Sequence, residues 1–278
     1  MSTRTAAVPS ESIGRSLNPS TALVGVLVAG LVLRMLFIGA DGYRNDVSSF
    51  MSWTMTIASN PLPDFYAKAG FADYPPGYLL VLWVVGKIYL LLPHAPNDWG
   101  LLKYLVKLPA CLFDLLDGWL IFAIVRRFAS EAWATSAAAL YVLNPASIYV
   151  SAYWGQVDSV PAGFMLAAVA LVVYASDAKR LPAQTRWLVV CAWLAIAYAI
   201  LIKPPSVMIA LLMLAWPFAT GDPGVRAKRA IDTALGIAAG LVFALLVALL
   251  FHPQIASAIP WLLERYSFGS AVYPYNSV

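Results

Sequence analysis

Apolar residues of this chain gather into seven long runs, near 21–39, 104–125, 132–152, 160–176, 187–202, 205–219 and 231–251. Each approaches the ~20 residues that an α-helix needs to cross the hydrocarbon core of a bilayer. The pattern predicts an all-α, polytopic membrane helix bundle with seven transmembrane helices. An eighth apolar stretch, 77–92 (GYLLVLWVVGKIYLLL), contains Lys87 and follows two prolines.

The polar positions between the runs set the orientation, because short cytoplasmic loops carry an excess of Lys and Arg. With seven spans, the N-terminal tail (Arg4, Arg15), Arg126-Arg127, Asp177 to Arg186 and Gly221 to Arg229 share the cytoplasmic side and hold ten of the 18 basic residues. Crossing at 77–92 as well would put the tail and the three basic loops on opposite sides. The stretch therefore reads as an interfacial helix with Trp83 and Tyr89 near the headgroups. Eight spans with an external N-terminus is the alternative topology. The expected organisation is a tail over 1–20, a seven-span module over 21–251 with a long outer loop at 40–103 that carries juxtamembrane helices, and the start of an outer loop at 252–278. The apolar run at 21–39 is too long and too far in for an ordinary signal peptide and reads as a retained span.

Composition agrees with the membrane reading. Of 278 residues 61% are hydrophobic and 12% charged, against the roughly 25% charged of an average soluble domain. The net charge of +4 is small and dispersed, which excludes a nucleic-acid partner. Cys111 and Cys191 lie inside apolar runs and act as small hydrophobes, with no metal-ligand spacing around them. The sequence has no Gly-rich phosphate loop, HExxH, Gly-x-Ser-x-Gly or solenoid repeat.

Chemistry-bearing residues collect on the outer face. In ADGYRNDVSSFMSW, Asp46, Phe50 and Trp53 share one side of a helix. FADYPPGYLL supplies Asp73 and Tyr74 before a proline-led helix, and YWGQVDS supplies Trp154, Gln156 and Asp158 at the mouth of the fourth span. Each carboxylate reads equally well as a helix cap. Capping does not explain why three of them gather on one face with Tyr43, Tyr66 and Tyr74, a mixture that suits a sugar or polyol. Inside the second span Asp114, Asp117 and Lys107 read as a structural triad, since intramembrane charges pair with one another. Lys203, with no adjacent acid, either snorkels to the interface or binds a lipid phosphate. Arg265 stands beside Glu264.

The order of a first span, an Asp in a GYRNDVSSFMSW helix, then DYPPG, then NPASIYVSAYWGQVDS after the third span resembles the GT-C superfamily of polytopic glycosyltransferases that use polyprenyl-phosphate sugars. The likeness runs from about residue 21 to the end and leans towards the branch of dolichyl-phosphate-glucose and dolichyl-phosphate-mannose-dependent transferases. It implies a conserved seven-span module, a catalytic base at Asp46, and site-lining stretches at Asp73-Tyr74 and YWGQVDS. Members continue into further spans, whereas this chain stops at AVYPYNSV, so a truncated chain is expected.

The resemblance implies an inverting transfer in which Asp46 deprotonates an acceptor hydroxyl of a glycan, lipid or protein, and that hydroxyl attacks a hexose, mannose or glucose, on a polyprenyl-phosphate donor. The phosphate leaving group needs positive charge, from Lys203, Arg265 or Arg44, and Gln156 and Asp158 orient the substrate. No metal or cofactor is expected. Short loops and a compact chain favour a bacterial inner membrane with a periplasmic site. A transporter or flippase would instead show inverted repeats and interrupted helices at the bilayer centre, and a non-catalytic remnant that binds lipid-linked sugar stays open.

Overall fold

The computed structural model describes residues 19–93, 98–177 and 181–272, so Arg4, Arg15, Lys179, Arg180 and the closing 273–278 lie outside the described residues. Among the described residues twelve α-helices follow in order: α1 (Pro19–Phe37), α2 (Arg44–Ser59), α3 (Phe65–Lys68), α4 (Pro76–Leu91), α5 (Trp99–Val125), α6 (Glu131–Val142), α7 (Pro145–Ile148), α8 (Ser159–Ala175), α9 (Pro182–Ile202), α10 (Val207–Met213), α11 (Pro223–Phe251) and α12 (Ile255–Val272). The described residues contain no strand. The protein is an all-α polytopic bundle, and α5, α9 and α11 are long and apolar enough to cross a membrane. Shorter apolar helical stretches run over Thr21–Phe37, Pro76–Leu91, Ser159–Ala175 and Pro204–Phe218.

Helix boundaries follow local signals. Asp98 caps α5 by accepting from the Leu101 amide at 3.0 Å, and Asp222 caps α11 from the Gly224 amide at 2.7 Å with Pro223 in the first turn. The third expected span is not one helix: α6 ends at Val142, Asn144 caps the short α7 by accepting from the Ala146 amide at 2.8 Å, and a π-helical turn runs over Tyr149–Trp154. An Asn-Pro pair resets the chain there because proline has no amide to continue the ladder. The sixth run breaks similarly, with 3₁₀ turns at Pro204–Ser206 and Trp216–Phe218 on either side of α10.

Successive long helices alternate in direction. One end of the bundle gathers the C-termini of α1, α9 and α11 with the N-termini of α5 and α8, while α6 stops short of it at Val142, beside Gly30 and Gly118, and the π-helical turn completes the rise. At the other end Arg127 pairs with Asp177 at 3.5 Å, Arg186 with Asp232 at 2.8 Å, and Arg229 lies 4.9 Å over Trp216. Helix α4 meets the first end at both of its own ends. Its Gly77 carbonyl accepts from Tyr198 Oη at 3.1 Å, and its Tyr89 Oη donates to the Asp98 carbonyl at 3.4 Å. Tyr78, Leu82, Val85 and Tyr89 recur at helical spacing and are buried, partly against the equally periodic Phe50, Trp53 and Ile57 of α2. Gly86 lets the two helices approach, since a Cβ there would run into the Thr54 carbonyl and Ala58.

The expected Lys107–Asp114–Asp117 triad is not formed. Asp114 pairs instead with Arg34 of α1, Nε to Oδ2 at 2.9 Å, and Arg34 is fully buried. Arg34 also donates to the carbonyls of Gly30 and Val142, at 3.1 and 2.8 Å, and to Ser147 Oγ at 3.2 Å. Tyr141 Oη bridges Asp114 and Asp117 at 2.9 Å each. The network ties α1, α5 and α6 together at a depth where unpaired charge is costly. Lys107, one span-end higher, is drawn to a different set of acceptors.

Candidate functional site

The site begins at a junction between two chain segments. The turn after α1 reverses at Gly42, whose φ of +67° favours glycine and whose missing Cβ makes room for the carbonyls of Tyr153 and Trp154. The π-helical turn ends at Gly155, with φ +91°, where Gly155 and Gln156 amides both donate to the Val150 carbonyl at 3.1 and 2.9 Å. The Tyr43 amide donates to the Trp154 carbonyl at 3.1 Å and joins the two. Lys107 Nζ fastens the junction, donating to the carbonyls of Ala40 at 2.6 Å, Tyr153 at 2.9 Å and Ala152 at 3.3 Å.

This junction sets Asp46 in the first turn of α2. Its Oδ2 accepts from Trp154 Nε1 at 2.9 Å and from Gln156 Nε2. Its Oδ1 carries no hydrogen bond among the described residues. The cap of α2 is Tyr43, which makes no side-chain cap bond, so Asp46 is engaged across the chain rather than with its own helix. Asp158 stands at the N-cap of α8, but its side chain makes no cap bond and forms an ion pair with Lys203 instead. The acid that Lys203 lacks in the sequence is thus supplied from 45 residues away. Lys203 Nζ also reaches Gln156 Oε1 at 3.4 Å and stands 5.7 Å from the Tyr74 ring centre.

Tyr74 packs edge-on against Phe50 at 5.6 Å, beside Trp53 and Tyr78. Burial pushes the Tyr74 hydroxyl well above the ordinary tyrosine range, with nearby carboxylates adding to the shift. Asp73, half-buried next to it, is raised above the usual carboxylate range by burial and by the Asp46 charge, while Lys203 opposes the shift. Tyr66 Oη donates to the Tyr74 carbonyl at 2.9 Å, and the Arg265 guanidinium lies 5.2 Å over the Tyr66 ring while bonding Glu264 at 2.9 Å.

Asp46, Trp154, Gln156, Asp158, Lys203, Asp73 and Tyr74 therefore share one end of the bundle, with Arg265 joined to them through Tyr66. Arg44 stands apart, exposed at the start of α2 with no ion pair among the described residues. No group of three His, Cys, Asp or Glu among the described residues is arranged to hold a metal ion. Sequence reasoning missed Lys107, Gly42 and Gly155 as builders of the site. The available signal was a lysine inside an apolar run together with glycines next to both polar motifs.

Comparison with known proteins places the fold. No family model matches the sequence, and no curated protein matches it. Among solved structures, ArnT from Cupriavidus metallidurans bound to undecaprenyl phosphate superposes with a TM-score of 0.59 at 20% identity, covering 86% of this chain and 42% of that one. The apo oligosaccharyltransferase of Archaeoglobus fulgidus superposes with a TM-score of 0.62 at 16% identity, covering 92% of this chain and 34% of that one. The chain thus shares the polytopic helical fold of these two proteins. It spans less than half the length of either.

Proposed function

We propose that the protein is a membrane glycosyltransferase that moves a hexose, mannose or glucose, from a polyprenyl-phosphate donor to a hydroxyl of a glycan, lipid or protein acceptor, with inversion at the anomeric carbon. The observation that carries this reading is Asp46: one carboxylate oxygen is fixed by Trp154 and Gln156, and the other has no hydrogen-bond partner among the described residues, at the end of the bundle where Lys203, Asp158, Tyr74 and Asp73 converge. ArnT, which shares the fold, was solved with undecaprenyl phosphate bound, which supports a polyprenyl-phosphate lipid as partner. The site faces the periplasm of a bacterial inner membrane in this reading, because the opposite end carries the arginines expected at the cytoplasmic surface. The seven-span module then covers 21–251, with α4 lying in the outer interface.

The chemistry needs few groups. Asp46 Oδ1 takes the proton of the acceptor hydroxyl as its oxygen attacks the anomeric carbon. The bond from that carbon to the phosphate oxygen breaks, and its electron pair leaves with the polyprenyl phosphate. The departing phosphate gains charge and is met by Lys203, with Arg265 beside the neighbouring Tyr66. Gln156 bonds both Asp46 and Lys203, so it sets base and cation in register.

The test is turnover of a panel of polyprenyl-phosphate hexoses by membranes containing the full chain, with Asp46→Asn for comparison. Asn keeps an oxygen for Trp154 and Gln156 while losing the base, so a fall of about 10²–10⁴ in rate without loss of folding is expected. Full turnover by Asp46→Asn would remove the base assignment. A folded parent that consumes no donor would move the transporter and remnant readings ahead.

A further inference from the structure

Between the π-helical turn and α8 a cleft of about 330 Å³ runs from Asp158 down to Asp114. Its volume lies at the low end of the roughly 300–1,000 Å³ found for ligand pockets. Its polar wall is made by Asp114, Tyr141, Ser147, Ser151, Asp158 and Ser159. This sets it apart from the mostly apolar grooves between α9 and α11 and between α4 and α5, whose polar side-chain atoms come only from Trp193, Tyr266 and Tyr198.

The hydroxyl protons of that wall are already spent. Ser151 Oγ donates to the Ser147 carbonyl at 3.0 Å, Ser159 Oγ to the Ala110 carbonyl at 2.8 Å, and Ser147 Oγ to the carbonyls of Tyr141 and Asn144 at 2.8 and 3.0 Å. Tyr141 Oη donates to Asp114 and Asp117. What remains towards the cleft is acceptor capacity: lone pairs on serine and tyrosine oxygens, and carboxylates. A phosphate finds no spare donor there and meets two acids. A hydrocarbon tail would leave those remaining lone pairs facing an apolar chain with no donor. The complementary ligand is one that donates several hydrogen bonds without carrying negative charge, which is the description of a sugar ring.

Position narrows the choice of sugar. Asp158 at the mouth is paired with Lys203, the cation assigned above to the phosphate. A hexose joined to that phosphate is one bond away from it and so lies beside Asp158. Resting on the transferase reading, we infer that this cleft is the subsite for the donor hexose, with Ser151, Ser159 and Asp158 accepting from its ring hydroxyls.

The test uses Ala162→Leu, a bulkier side chain on the α8 wall of the cleft, and Ser151→Ala, which removes one acceptor, in the purified full chain. Binding is read by saturation-transfer NMR with methyl mannoside and methyl glucoside, and with inorganic phosphate added as competitor. One glycoside is expected to give a signal with the parent and with Asp46→Asn, undiminished by phosphate and reduced severalfold in Ala162→Leu and Ser151→Ala at unchanged melting temperature. No signal with the parent, a signal displaced by phosphate, or one that persists in Ala162→Leu overturns the subsite. Should Ala162→Leu not fold, Ser151→Ala decides alone. In turnover, Ala162→Leu should raise the donor KM; a change confined to the acceptor KM would give the cleft to the acceptor and overturn the donor assignment. A glycoside signal sensitive to Ala162→Leu in a parent that turns over no donor would sink the transferase reading and leave the sugar cleft standing.

Discussion

Replacing Lys107 by Met tests whether the junction that carries Asp46 is held from below. Lys107 is 1% exposed, and its ammonium is shared by three carbonyls, two from the π-helical turn and one from the loop after α1. Hydrogen bonds to a charged group contribute about 1.5–3 kcal/mol each, so three amount to roughly 5–9 kcal/mol. Burying an ammonium costs several kcal/mol, and Met, of similar length, carries no such cost. The net loss is then about 2–4 kcal/mol, concentrated where the carbonyls lose their partner. At about 1.36 kcal/mol per factor of ten, amides that depend on the junction should exchange roughly 30- to 1,000-fold faster. Those of Tyr43, Gly155 and Gln156 are the reporters, because the first joins the two segments and the other two close the π-helical turn. Hydrogen exchange in Lys107→Met should accelerate at these three and leave the amides in the middle of α11 unchanged. If Asp46 is the base of the proposed transfer, the same change should lower kcat by about 10²-fold, the cost of displacing a catalytic group by about 1 Å, with donor KM little altered. Unchanged exchange at Tyr43, Gly155 and Gln156 would refute the reasoning.

Three further outcomes are expected. Arg34→Met and Asp114→Leu should each destabilise by about 3–5 kcal/mol in detergent unfolding, because each strands a buried charge, whereas the double variant should cost far less than their sum; additivity would mean that the ion pair does not couple α1 to α5. Asp73→Asn should melt higher than the parent at pH 7 and converge with it as the pH falls towards 4: burial raises the folded-state pKa of Asp73, so the stability held by its neutral form is present at low pH and is lost as the pH rises above the unfolded value of about 3.9. A parent–variant difference that does not change with pH would count against this. Lys203→Met should change unfolding by about 1 kcal/mol or less, as its ion pair with Asp158 is partly exposed, while turnover falls; equal loss of folding and turnover would make Lys203 structural.

The long apolar runs read correctly as helices because burial in a bilayer demands that every backbone amide be satisfied within its own segment. Where the runs broke, the breaking residues were visible but their weight was not. Asn144-Pro145 and Trp216-Pro217 interrupt helices that hydropathy alone carries through, since hydropathy sums side chains and ignores the missing proline amide. The start of α5 at Trp99, five residues before the apolar run, was hidden for a different reason: Asp98 caps a turn in which Gly100 and Lys103 interrupt the apolar residues. The partners of charged residues were the least legible feature. Lys107 was matched to acids on its own helix, yet a lysine stem can climb towards the span end, where carbonyls freed by the π-helical turn outnumber side-chain acceptors.

What the sequence did carry was parity. Residues 46 and 73, 154–158, and 203 come from three separate connections, and an odd or even count of crossings decides whether they meet at all. The alternation of α1, α5, α6, α8 and α9 brings the YWGQVDS turn and Lys203 to the same end, so Asp158 finds its partner 45 residues away without any local signal. Parity brings such groups within range, but it does not fix an oxygen to a tenth of an ångström. That second task falls to backbone irregularity: a π-helical turn and two left-handed glycines let the Trp154 indole and the Gln156 amide converge on one carboxylate oxygen, which a regular helix end could not do with residues two apart. Straightening the turn would leave every candidate residue at the same end of the bundle and still dismantle the site.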